Sequence, residues 1–170
     1  FICEKLNKIN FHDIELIISK SESENKNFWK IREDIPLAEK QLNNIVQHDV
    51  SIPLKNIETF IEKSTKFLKK LESCIEIINF GHLGDNNLHF NVFINKNINN
   101  REYKILKRNI NEIIFSNVLK YEGSISAEHG IGQLRRKQLK IYKSPEELKK
   151  MKEIKKIFDP NNIMNPGKVF

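Results

Sequence analysis

Two histidines lie on either side of a short polar turn, where their imidazoles could share one ion. They belong to GHLGDNNLHFN, residues 81–91, which joins the β-forming run CIEIINF to a second one, LHFNVFI. If Asp85 and Asn86 form a two-residue hairpin loop, His82 pairs directly with His89. The Cβ atoms of such a pair lie about 4.5 to 5.5 Å apart, from which two imidazoles can reach one metal. The spacing therefore predicts a hairpin with one ligand-bearing face.

A second stretch, SISAEHGIG at residues 124–132, offers a carboxylate for the same site. Glu128 and His129 are adjacent there and precede two glycines, which let backbone approach another group closely. A divalent transition ion that acts on a substrate takes about three nitrogen and oxygen ligands and keeps one position open. The two hairpin histidines and Glu128 form such a set. Core histidines with backbone partners are the alternative, but Asn91 on the histidine face and the later Glu-His pair favour a metal.

The elements that position these residues alternate between strand and helix patterns. Residues 1–9 have the pattern of a helix end. Strand patterns cover residues 13–19, 45–53 and the two hairpin runs, and helix patterns cover about 27–42, 54–71, 103–121, 133–142 and 144–158. Within 45–53, one set of alternate residues is Val46, His48, Val50 and Ile52, and the other is Ile45, Gln47, Asp49 and Ser51. This order, with a hairpin between neighbouring strands, predicts an α+β fold: an antiparallel sheet with helices packed on one face.

Composition narrows the class of protein. A length of 170 residues and a hydrophobic content of 39% fit one compact domain, and the missing initial methionine suggests a piece of a longer protein. Cys3 and Cys74 have no motif spacing, which favours a reducing compartment and a cytoplasmic location. No run is long and apolar enough to cross a membrane, although the intact protein could bind one peripherally.

The net charge of +7 raises the question of a nucleic-acid partner. The basic residues are spread along amphipathic helices, without interleaved aromatic residues or a nucleic-acid-binding motif. They are therefore interpreted as solvated helix faces, and no nucleic-acid partner is expected. A positive field would still attract small anionic substrates.

Five motifs together resemble a known family. GHLGDNNLHFN, SAEHGIG and FDPNNIMNPGK, with FWKIRE and HDVSIP before them, are similar in sequence and order to the C-terminal domain of FAD-linked oxidases. That family includes D-lactate dehydrogenases, the glycolate oxidase flavin subunit and D-2-hydroxyglutarate dehydrogenase. The resemblance covers nearly the whole chain. It implies that residues 1–170 form a ferredoxin-like cap domain, which closes over the flavin of an N-terminal FAD-binding domain absent from this fragment.

The resemblance also implies roles for individual residues. It assigns a zinc-type ion to His82, His89 and Glu128, the catalytic base to His129, and substrate binding to Arg32, Gln47 and Asn91. Relatives often have lysine at the position of Gln47, so recognition of the substrate's charge is expected to differ here. FAD is expected to be held mainly by the missing domain, with only weak contacts near Asn165 and Lys168.

The implied reaction is oxidation of a D-2-hydroxy acid, such as D-lactate, glycolate or D-2-hydroxyglutarate, to the 2-oxo acid. The ion would lower the pKa of the substrate hydroxyl, His129 would remove its proton, and the hydride would pass to FAD and then to an unidentified electron acceptor. Arg32 would clamp a carboxylate. The isolated fragment is expected to be inactive. A metal-dependent hydrolase with the same ligands and a noncatalytic interaction domain stay open as alternatives.

Overall fold

The computed structural model describes residues 17–170. The chain divides into two compact units, Phe1–Gln41 and Leu42–Phe170. The helix end predicted at residues 1–9 and most of the strand predicted at 13–19 lie outside the described residues, and residues 17–20 have no regular structure.

Helix α1, Glu22–Glu39, is the regular element of the first unit's described part. It begins five residues before the predicted start at residue 27, because the Ser21 side chain accepts a hydrogen bond from the N–H of Glu24 at 3.2 Å and so caps the first turn. Pro36 lies inside the helix. Arg32, a predicted substrate-binding residue, is on this helix and is partly buried.

The second unit contains an antiparallel sheet and four α-helices. In chain order its elements are β1 Ile45–Val46, β2 Asp49–Ser51, α2 Leu54–Leu71, β3 Ile75–His82, β4 Asn87–Ile94, α3 Asn100–Lys120, α4 Arg136–Tyr142 and α5 Pro145–Phe158. Strand β4 is central: β3 pairs with one edge, and β1 and β2 pair with the other. The α+β prediction is therefore confirmed.

The strand predicted at residues 45–53 is present as two short strands, β1 and β2, which pair with the same edge of β4. Val46 lies opposite Val92 and Asp49 lies opposite His89, so β1 and β2 share a single register along β4. Between them, the N–H of His48 donates to the Asn91 side-chain oxygen at 3.2 Å, which takes this group out of the strand ladder.

The hydrophobic core lies between one face of the sheet and helices α2 and α3. Leu88, Phe90, Val92 and Ile94 alternate along β4 and are all buried. The Phe90 ring meets the Phe60 ring of α2 edge to face, with centroids 5.5 Å apart. Because side chains alternate along a strand, the residues between these apolar ones point to the opposite face.

The hairpin differs from its predicted pairing. His82 pairs with Asn87, and His89 pairs with Phe80, so the predicted direct His82–His89 pair is wrong. The turn uses four residues, because Leu83–Asp85 forms a short 3-10 turn and Asn86 adopts a left-handed conformation with φ of 56°. The register has shifted by two residues, an even number, and both histidines therefore stay on the face opposite the core.

Candidate active site

The two hairpin histidines form the centre of a polar cluster on the face opposite the core. His82 ends β3 and His89 lies within β4, and their ring centroids are 6.0 Å apart at an angle of 81°. The side chain of His82 is 51% exposed, whereas that of His89 is 14% exposed. The Phe80 ring lies against His89 with centroids 4.8 Å apart. His89 is thus held by packing, whereas about half of the His82 side chain faces solvent.

Glu128 completes the predicted set of metal ligands. Its Oε1 lies 3.8 Å from Nε2 of His82, and ligand atoms from His82, His89 and Glu128 all lie within 4.8 Å of one another. Tetrahedral ligands about 2.1 Å from zinc are separated by about 3.4 Å. The half-exposed His82 and Glu128 side chains could close this difference by rotating. Two imidazole nitrogens and a carboxylate oxygen are a donor set that suits a zinc-type ion.

The segment that carries Glu128 is attached to the edge of the sheet. Ser51 and Ser124 form an antiparallel bridge, with N–H to carbonyl distances of 3.0 and 2.8 Å. Further along, Arg135 donates through Nη1 to the carbonyl oxygen of Asp49 at 3.2 Å and also to the carbonyl oxygen of Ile125. These contacts hold the two ends of the 124–135 segment beside β2, and so place Glu128 opposite the hairpin.

Asp49 is the functional candidate that the sequence reasoning missed. Its side chain is only 3% exposed, and its Oδ2 accepts hydrogen bonds from the backbone N–H groups of Glu128 and His129, both at 2.9 Å. The alternation in residues 45–53 contained the signal, because it placed Asp49 on the face away from the core. Asp49 also lies directly opposite His89.

His129 lies beside the ligand cluster. Its ring stacks on that of His89, with centroids 6.0 Å apart and an angle of 22° between the planes. Its Nδ1 is 3.6 Å from Oδ2 of Asp49, and its side chain is 68% exposed. Gly130 follows with φ of 72°, a conformation that suits glycine and turns the chain away. The structure therefore brings the predicted base next to the three predicted ligands.

Burial and hydrogen bonding act against each other at Asp49. Burial raises the pKa of Asp49. The hydrogen bonds from the N–H groups of His129 and Glu128 lower it, as do the charges of His129 and His89. Together these effects outweigh burial, so the pKa lies below its usual value. Burial lowers the pKa of His89, an effect that Asp49 and Glu128 partly offset. The lowered pKa of His89 favours its neutral form, which is the form of imidazole that binds a metal ion.

The three predicted substrate-binding residues lie on different segments of the chain. Asn91 is buried on the histidine face, and its side-chain oxygen accepts the hydrogen bond from the His48 N–H. Gln47 is exposed, at the register position opposite Asn91. Arg32 belongs to the first compact unit.

His48, which lies between β1 and β2, is buried and faces the core. Its Nδ1 lies 3.0 Å from the carbonyl oxygen of Phe90, and its Nε2 lies 2.9 Å from the side-chain oxygen of Asn111 on α3. Burial lowers its pKa to about 4. His48 therefore ties the sheet to a helix and has no ring nitrogen to offer a ligand.

The chain matches the family described as FAD linked oxidases, C-terminal domain, over residues 1–169. With its α+β fold and its histidine-bearing hairpin, the chain belongs to this family.

Several curated relatives are named as dehydrogenases or as a transhydrogenase. A D-2-hydroxyglutarate dehydrogenase of Stutzerimonas stutzeri is 39% identical over 162 residues, which are 91% of this chain and 33% of that protein. A mitochondrial D-2-hydroxyglutarate dehydrogenase of Arabidopsis thaliana is 34% identical over 155 residues, 90% of this chain and 26% of that protein. A D-2-hydroxyglutarate–pyruvate transhydrogenase of Saccharomyces cerevisiae is 28% identical over 162 residues, 91% of this chain and 32% of that protein. The chain thus spans about a third or less of the length of these relatives.

Among residues 17–170, no helix combines the length and the apolar character needed to cross a membrane.

Proposed function

We propose that this chain is the substrate- and metal-binding C-terminal domain of an FAD-dependent D-2-hydroxy-acid dehydrogenase. The family and the relatives' names support the reaction class. The observation that carries the proposal is the convergence of His82, His89 and Glu128, whose ligand atoms lie within 4.8 Å of one another, with His129 stacked beside them. In this proposal FAD is held mainly by an N-terminal domain, and the substrate is oxidised to the 2-oxo acid.

Three side chains would hold the ion, and a fourth would move the proton. A zinc-type ion bound by His82, His89 and Glu128 would lower the pKa of a coordinated hydroxyl group. His129 removes the hydroxyl proton at Nε2, since its Nδ1 faces Asp49 at 3.6 Å. FAD, when bound, would accept the hydride from C2 of the substrate. The stacking of His129 on His89 would keep the base beside the three proposed ligands, and His129 is not proposed as a fourth ligand.

D-2-Hydroxyglutarate is the proposed substrate, ahead of D-lactate and glycolate. All three relatives described above have D-2-hydroxyglutarate in their names, and the yeast relative's name pairs it with pyruvate, the oxo acid of lactate. Arg32 is proposed to bind a substrate carboxylate, and Asn91 and Gln47 to donate amide hydrogen bonds. Gln47 is neutral, so it would stabilise a distal carboxylate less than a cation would. The electron acceptor is left unassigned.

Kinetics on the full-length protein test this proposal. Flavin reduction is followed by absorbance after mixing with D-2-hydroxyglutarate, D-lactate or glycolate, with L-2-hydroxyglutarate as the stereochemical control. We expect reduction by a D-2-hydroxy acid, loss of reduction after treatment with a chelator, and recovery when zinc is restored. His82→Ala should abolish the response to zinc, and Asn79→Ala, at an exposed position on the same strand, should not. A protein whose flavin is reduced by none of these acids would contradict the proposal.

A further inference from the structure

The carboxylate of Asp49 is buried, and its described contacts all lead to the candidate active site. Oδ2 accepts the two backbone N–H groups of Glu128 and His129. The same carboxylate faces two imidazoles, with Oδ1 3.8 Å from Nδ1 of His89 and Oδ2 3.6 Å from Nδ1 of His129. One side chain on the sheet edge therefore touches the segment that carries the base and one of the hairpin ligands.

The two oxygens of Asp49 differ in how well they are satisfied. Oδ2 has two donors at 2.9 Å, but Oδ1 is buried without a hydrogen-bond partner. A buried, ionised oxygen without a donor is costly, and it gains free energy when a donor approaches. The Nδ1 position of His89 needs to move closer by about 0.9 Å to reach hydrogen-bond distance. The unpartnered oxygen is thus a vacant acceptor aimed at a ligand histidine.

A neutral imidazole carries one proton, and its neighbours decide which nitrogen holds it. An ionised carboxylate is an acceptor only, so it favours the tautomer with the proton on the nitrogen that faces it. At Asp49 that nitrogen is Nδ1 in both His89 and His129. Nε2 of each ring then carries a free lone pair, one for an ion and one for a proton. Carboxylates behind metal-bound histidines act in this way in other proteins.

We propose that Asp49 is a positioning residue that fixes the Nδ1–H tautomer of both His89 and His129. A single carboxylate thereby prepares the metal ligand and the base together. The roles of the two imidazoles rest on the proposed function, but their tautomers do not. Arg135 supports this arrangement because it holds the backbone carbonyl of Asp49.

The tautomers are measured directly by long-range proton–nitrogen NMR on the metal-free chain labelled with ¹⁵N-histidine, at a pH where the rings are neutral. The chain has five histidines, so assignment by single substitutions is practical. We expect His89 and His129 both to be protonated at Nδ1. A proton on Nε2 in either ring would overturn the proposal, whether or not the chain binds metal.

Asp49→Asn makes the prediction sharper. The amide oxygen can still accept the N–H groups of Glu128 and His129, but the NH₂ group then faces His89 and requires Nδ1 to accept. His89 should switch to the Nε2–H tautomer, while His129, next to the retained oxygen, should not. Blocking Nε2 of His89 should weaken zinc binding by about 10- to 100-fold.

Zinc affinity is measured by competition with a chromophoric chelator on wild type, Asp49→Asn and Asp85→Asn. Asp85 is an exposed carboxylate in the hairpin turn, so its substitution removes the same charge without touching an imidazole, and its affinity should stay within about threefold of wild type. Equal affinity and unchanged tautomers in Asp49→Asn would refute the role of Asp49. If wild type binds no zinc, the proposed metal centre fails, and the tautomers still decide the question of Asp49. If Asp49→Asn does not fold, the wild-type tautomers decide it alone.

Discussion

His48 and His89 lie on opposite faces of one sheet, and the protein uses the same side chain in two different ways. Both ring nitrogens of His48 lie within 3.0 Å of protein oxygens, and its ring packs edge to face on Phe115. His89 has one nitrogen facing Asp49 at 3.8 Å and its ring open to His82 and His129. The comparison shows that a histidine is available for chemistry when the fold leaves one ring nitrogen without a hydrogen-bond partner. Neither the residue type nor the extent of burial alone decides this.

The largest expected effect separates the base from the ligands. In the full-length protein, His129→Ala should slow flavin reduction by about 10² to 10⁴-fold, the usual contribution of a general base. Zinc content and melting temperature should stay near wild type, because the His129 side chain is largely exposed. Stopped-flow absorbance and elemental analysis on one preparation check both statements. A normal reduction rate would remove His129 from the mechanism, and loss of the ion would make it a ligand.

Replacing His89 or His48 by alanine should separate the effect on zinc binding from the effect on stability. His89→Ala should weaken zinc binding by more than about 100-fold, since it removes one of the three proposed ligands. His48→Ala should keep zinc affinity within a few fold of wild type but lower the free energy of unfolding by about 2 to 4 kcal/mol, because it leaves a cavity and unpaired polar groups. Chelator competition and urea unfolding measure the two quantities. Zinc loss in His48→Ala at full folding would contradict the division of roles.

The buried side chain of His48 should make the free energy of unfolding depend on pH. Its pKa is about 4 in the folded protein and about 6.5 in an unfolded chain. As the pH falls below about 6.5, the unfolded state binds a proton that the folded state refuses, so stability decreases until about pH 4 and this contribution then levels off. The full loss is at most roughly 3 kcal/mol.

His48→Gln tests this pH dependence in urea-unfolding experiments between pH 4 and 8. It should flatten the slope of stability against pH across that window. Phe60→Leu is the matched control, because it damages the same core without removing a titrating group. It should lower the whole curve and keep its slope. A wild-type slope in His48→Gln would show that other groups cause the acid sensitivity.

Gln47 should give the smallest effect. Its side chain is exposed, so Gln47→Ala should change the free energy of unfolding by less than about 0.5 kcal/mol. If its amide binds substrate, KM for D-2-hydroxyglutarate should rise a few fold while kcat changes little. Gln47→Lys should lower that KM by adding a cation. Steady-state kinetics on both variants would remove Gln47 from the substrate site if neither changes KM.

The sequence predicted the fold well in segments where the apolar residues recur with the regular spacing of a strand or of a helix. Alternation in residues 45–53 and 88–94 placed the apolar side chains correctly, and amphipathic patterns located the helices of the second unit within a few residues. The hairpin register was wrong because Asp85 and Asn86 suit more than one turn geometry. Only the backbone shows that Leu83 begins a 3-10 turn.

The site was predicted from residues that bear recognisable chemistry, and it was incomplete for the same reason. Asp49 and Arg135 act through backbone groups of other segments, 79 residues away for the Asp49–Glu128 contact. No local pattern contains such a contact. Arg135 looks like one of many surface cations in a basic sequence, yet it is partly buried and its guanidinium lies over the Phe115 ring. Long-range packing, not residue type, selects it.

The register of the hairpin differs from the predicted one by two residues, and this even number has a consequence for how sequence changes in the turn would affect the two histidines. Sliding β3 along β4 by one residue would turn Phe80 and His82 into the core and lift Ile75 and Ile77 out of it, which the buried apolar surface opposes. A slide of two residues keeps every side chain on its own face. The buried core therefore permits shifts in register by an even number of residues and opposes shifts by an odd number. Variation in the turn could therefore change the spacing of the two proposed ligands, while the buried apolar residues of β3 and β4 keep both histidines on the face opposite the core.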